Sequence, residues 1–176
     1  MRWFRIIIIL IVAVLLQATI VPALAVRGVR PDLPLLAALC LVAREAPDRR
    51  FDWSSFWVGW VAGLLVDVYS PGSLLPFGFR ALVFGTVAVG LNRVAAELFV
   101  ESVIAQIIVI GPFCVGVHLV LAVGVMVFAG TSPGVSLRGA LGVAAYSTLV
   151  VPLVFAVLRP ICRLLGLQTK RRYGGV

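Results

Sequence analysis

Long, unbroken apolar runs decide what this chain can become. Residues Ile6–Val26, Trp53–Val68, Leu74–Leu91, Val103–Ala129 and Gly139–Leu158 are each close to the ~20 residues that a membrane-spanning helix needs. A sixth segment, Pro31–Ala46, is weaker. Its strictly apolar part is only Leu33–Ala43, and a helix over the full segment crosses a bilayer if its ends snorkel or the lipid thins around it. The runs do not alternate every second residue, which separates them from barrel strands. The expectation is an all-α polytopic membrane protein, a single integral membrane domain over residues 1–176 built as a bundle of six transmembrane helices. Composition agrees, with 62% hydrophobic and only 12% charged residues and a mean hydropathy of +1.14. A soluble domain does not reach such values.

The N-terminal stretch also has the look of a secretory signal peptide, with Arg2 and Arg5 before the apolar run and Ala23-x-Ala25 behind it. The run is longer than a usual signal core, which favours a retained first helix. Six spans with a cytoplasmic N-terminus place eleven of the 15 basic residues inside, among them Arg44, Arg93, Arg159 and the Lys170-Arg171-Arg172 tail. Only Arg27, Arg30, Arg80 and Arg138 fall outside. This asymmetry fits the positive-inside rule and puts both termini in the cytoplasm. The net charge of +8 therefore reads as topology and attraction to anionic lipid at the cytoplasmic face, not as a nucleic-acid surface.

Short connections leave no room for a folded domain between the helices, so function has to reside in the bundle, its rims or its contacts with other proteins. Cys40, Cys114 and Cys162 lack metal or redox spacing and read as small buried hydrophobes. His118 is the only histidine, and no nucleophile elbow, zinc motif or phosphate loop is present, which speaks against an enzyme and against a cofactor.

The stretch GLLVDVYSPGSLLPFGFR, Gly63–Arg80, sets one acid and one base into apolar surroundings. Asp67 sits one residue before the end of the third run and Arg80 about two turns into the fourth, so an antiparallel hairpin brings them together near the outer rim. An isolated charge at that depth is costly, and an ion pair is the cheapest relief. Pro71 and Gly72 suit a sharp reversal, while Pro76 and Gly78 imply a fourth helix that starts loosely. Gly59 and Gly63 form a GxxxG whose smooth face admits another helix, with packing inside the chain preferred over dimerisation. Gln17, Gln106 and His118 read as interhelical hydrogen-bonding groups. At the inner end, Arg93, Glu97 and Glu101 recur every fourth residue, either a solvated stripe or a docking surface for a cytoplasmic partner.

In order and spacing, Leu16-Gln17, Pro31-Asp32-Leu33, Gly59 to Gly63-Leu64-Leu65-x-Asp67, Pro71-Gly72 and Gly78 make the first half of the chain resemble the MreD family of rod shape-determining membrane proteins. The later helices agree in number, length and apolar character. The resemblance implies a non-enzymatic subunit of the bacterial cell-elongation machinery in the inner membrane. Its expected partners are an MreC-like single-span periplasmic protein, an MreB-like cytoskeletal protein and a cell-wall polymerase and transpeptidase. It also implies a six-helix arrangement similar to the substrate-binding subunits of energy-coupling-factor transporters. A competing function is therefore a substrate-binding transport subunit, with Asp32, Asp67 and Arg80 converging on an outer pocket. The scaffold reading takes Gln17, Asp32, Gly59, Gly63, Asp67, Gly72, Gly78 and Arg80 as structural or partner-binding candidates.

Overall fold

The computed structural model describes residues 2–26, 28–45, 53–70, 74–97 and 103–165. Arg27, Arg49, Arg50, Gly72, Glu101 and the basic tail lie outside them. Six α-helices and one short 3-10 helix make up the described residues: α1 (Arg2–Thr19), the 3-10 turn Val21–Leu24, α2 (Leu33–Glu45), α3 (Trp53–Tyr69), α4 (Phe79–Glu97), α5 (Val103–Ala129) and α6 (Pro133–Leu164). Three of them, α1, α5 and α6, are by themselves long and apolar enough to cross a membrane.

Helix ends move from the expected positions for identifiable reasons. The first helix gives way to the 3-10 turn where Pro22 removes an N–H and constrains the residue before it. The fourth starts at Phe79 instead of Leu74, because Gly78 takes a left-handed φ of 86°. The sixth is far longer than expected. It begins at Pro133, where a missing N–H costs nothing, and runs through Pro152 and Pro160 to Leu164. The fifth matches its expected span and continues through Pro112.

The weakest segment in the sequence turns out to be the centre of the molecule. Helix α2 packs against each of the other five, and from Leu35 to Ala43 every residue is buried. At 1.5 Å per residue its 13 residues extend about 20 Å, short of the ~30 Å hydrocarbon core. The deficit is tolerable because α2 is sheathed in protein and has little lipid to match. A helix apolar on all sides is suited to that position.

Around α2 the neighbours run α1, α3, α4, α5, α6, each packed on the next. The ring does not close. No Cα atom of α1 lies within 8 Å of one in α6, although the chain bridges this seam near both ends. Arg5 donates from Nη1 to the Leu165 carbonyl at one end, and the Tyr146 hydroxyl donates to the Leu24 carbonyl (2.9 Å) at the other. Helix α1 buries one stripe, Ile6, Ile9, Leu10 and Ala13, and leaves Ile8, Ile11, Val12 and Leu15 exposed. Such a face belongs in lipid.

Candidate functional site

The stripe Ser55, Gly59, Gly63 and Asp67, at a spacing of four, lies along one buried face of α3. The glycines bring α3 onto the backbone of α4. A methyl group added at Gly63 would stand 2.6 Å from the Ala81 Cα and 2.6 Å from the Arg80 carbonyl oxygen, and one at Gly59 would strike the Phe84 carbonyl. The GxxxG face is thus used inside the chain, by α4. One turn beyond Gly63, that close approach delivers Asp67 to the start of α4.

Asp67 is held from two sides. Its Oδ2 accepts a hydrogen bond from the Gly78 N–H at 2.8 Å, and its Oδ1 lies 3.8 Å from Arg80 Nη1. The carboxylate side chain is only 3% exposed, against 21% for the arginine. Burial of the charge is offset by a charge-assisted bond and a facing guanidinium. Gly78 contributes its N–H in a backbone conformation that L side chains disfavour, so the loose start of α4 is part of the clasp.

A second cluster caps α2. Asp32 Oδ1 accepts from the Leu35 N–H (3.1 Å), the N-cap arrangement, and Gln17 Oε1 accepts from the Leu33 N–H (3.0 Å). The Asp32 N–H itself donates to Ser147 Oγ at 3.0 Å. Since residue 34 is proline, every N–H in this first turn is absent or satisfied within the protein. His118 Nδ1 lies 2.7 Å from the Cys114 carbonyl, an acceptor, so this nitrogen carries the hydrogen. Nε2 then faces Asp32 Oδ2 across 3.9 Å.

The two clusters border one cavity of about 320 Å³ at the end of the bundle where α2 begins. All six helices reach it, through Gln17, Pro34, Tyr69, Arg80, His118 and Val143 in chain order. Arg30 and Asp32, from the connection before α2, line it too. The cavity exists because α2 begins deeper than its neighbours end. Asp32 and Arg80, expected to converge, do share this space; Asp67 sits behind Arg80 in the hairpin. Arg30, Ser147 and the pairing of His118 with Asp32 were not singled out from sequence. A basic residue in a loop beside a Pro-Asp cap could have flagged Arg30, but nothing local marks a serine 115 residues away as the partner of Asp32.

At the other end, Arg93 is exposed near the end of α4. Glu97 belongs to the same helix but its side chain is not described, and Glu101 lies outside the described residues, so the stripe is not assembled here. Cys40, Cys114 and Cys162 are buried and unbridged, and no group of three metal-ligating side chains gathers among the described residues.

Fold and site together define a helical membrane protein whose polar side chains are spent on caps, clasps and a rim cavity, an arrangement suited to holding and binding. The chain belongs to the rod shape-determining protein MreD family, whose model matches residues 1–161. No curated protein and no solved structure matches the chain.

Proposed function

We propose that this protein is a non-enzymatic subunit of the bacterial cell-elongation machinery. In this reading it spans the inner membrane six times with both termini in the cytoplasm. It binds an MreC-like single-span protein through its lipid-facing helices and helps to organise peptidoglycan synthesis by a polymerase and transpeptidase pair. An MreB-like protein meets its cytoplasmic rim, where anionic lipid also gathers. Family membership over residues 1–161 is the observation that carries the reading. Physical support comes from the helices themselves. The segments between them are too short to fold as domains, so a partner has to be met by helix faces or rims. Exposed apolar side chains on α1 and α6 offer such faces, for example Ile11 and Leu15 on one helix and Leu149 and Leu153 on the other.

Purification of the tagged chain from its native membrane in mild detergent, followed by mass spectrometry of what stays bound, tests this. A near-stoichiometric single-span periplasmic protein is the expected result. Recovery of the chain alone, from membranes in which cell-wall synthases are present, would overturn the scaffold assignment.

A further inference from the structure

The cavity is lined by two arginines and one aspartate, Arg30, Arg80 and Asp32. Asp32, the carboxylate on its wall, has Oδ1 taken by the Leu35 N–H, while Oδ2 lies 3.9 Å from His118 Nε2. Asp67 is engaged by the Gly78 N–H and by Arg80. The Gln17 carbonyl is taken by the Leu33 N–H. The first turn of α2 has no N–H to offer. Arg30, Arg80, Tyr69 and Ser70 line the space as well. Arg80 approaches Asp67 through one nitrogen at 3.8 Å, beyond ordinary hydrogen-bond length, and so keeps donors free for another acceptor. Arg30 is exposed and, among the described residues, bonds to no other group.

Two guanidiniums against one carboxylate give this pocket an excess of positive charge that favours an oxyanion, and their planar forks match phosphate. We propose that this cavity binds the phosphate group of a small anionic ligand between Arg30 and Arg80. The group belongs either to the headgroup of a membrane lipid or to a soluble phosphate compound. Gln17 on α1 and Val143 on α6 both line the cavity, and no Cα atoms of these two helices come within 8 Å, so the chains of a bound headgroup would lie along this seam, between the Tyr146–Leu24 and Arg5–Leu165 bonds.

The test uses the full chain, stripped of lipid in an uncharged detergent, and reads the midpoint of thermal unfolding by tryptophan fluorescence. One arm adds phosphatidylglycerol, with phosphate-free diacylglycerol as its control. The other adds inorganic phosphate, with chloride at equal ionic strength as its control. Arg80 also helps to hold the hairpin, so Arg30→Gln is the deciding variant and Arg93→Gln, at the opposite end of α4, is the comparison. Saturable stabilisation whose apparent affinity falls about tenfold in Arg30→Gln, and not in Arg93→Gln, is expected. Stabilisation by phosphatidylglycerol alone assigns the headgroup, and stabilisation by inorganic phosphate assigns a soluble group. The proposal is overturned if neither ligand stabilises the protein, or if Arg30→Gln responds as the parent chain does. Its failure would leave the partner reading untouched, since that rests on co-purification.

Discussion

Asp67 shows how a single buried charge is made tolerable. Its two oxygens do different things, one binding the Gly78 N–H and the other facing Arg80, and substitutions separate them. Asp67→Asn keeps an oxygen for Gly78 and leaves Arg80 unmatched, whereas Asp67→Ala removes both. The alanine variant should lose about 2 kcal/mol of stability and the asparagine variant visibly less. Thermal unfolding of the two proteins in detergent decides the order, and a larger loss in the asparagine variant would refute the division of labour. This pair was legible in the sequence because a short hairpin joins its members, so spacing alone fixed the encounter. The clusters around Asp32 were not. Gln17, His118 and Ser147 come from three other helices, and only the bundle's packing decides that they meet.

At the level of elements, the GxxxG on α3 carries a constraint of distance. Added methyl groups at Gly59 or Gly63 meet the backbone of α4, which has nowhere to go, whereas one at Gly116 on α5 meets nothing within 4 Å. Gly63→Ala should therefore pry α3 from α4 at a cost of about 1 to 3 kcal/mol. Gly116→Ala should be harmless or slightly stabilising, by up to about 1 kcal/mol, since alanine is the better helix former. Equal stability of the two variants in the same unfolding assay would mean that the close approach is unimportant. The glycine pattern was readable from sequence, and so were the five strong helices, because hydrophobicity in long runs survives any packing. Helix ends were less so. A start at Pro133, a left-handed Gly78 and continuation through Pro160 depend on local backbone conformation that a hydropathy pattern does not see.

The described residues form a ring of five helices around a short central one, without α1–α6 backbone packing and hollow at the end where the central helix begins. The feeble hydropathy of the second segment and its central place have one cause, since a helix surrounded by protein is relieved of the length that lipid demands. The proposed orientation puts Ser70 outside and Arg93 inside. With the three buried cysteines replaced, a membrane-impermeant maleimide should label Ser70→Cys on intact spheroplasts and Arg93→Cys only after permeabilisation; the reverse pattern would invert the topology. The central claim, a structural part in cell shape, is tested most directly by depleting the chain in its native cell and measuring cell width while variants are supplied in its place. Depleted cells should widen and round, the parent chain and Gly116→Ala should restore rods, and Gly63→Ala should restore them poorly. Unchanged rods through complete depletion would contradict it.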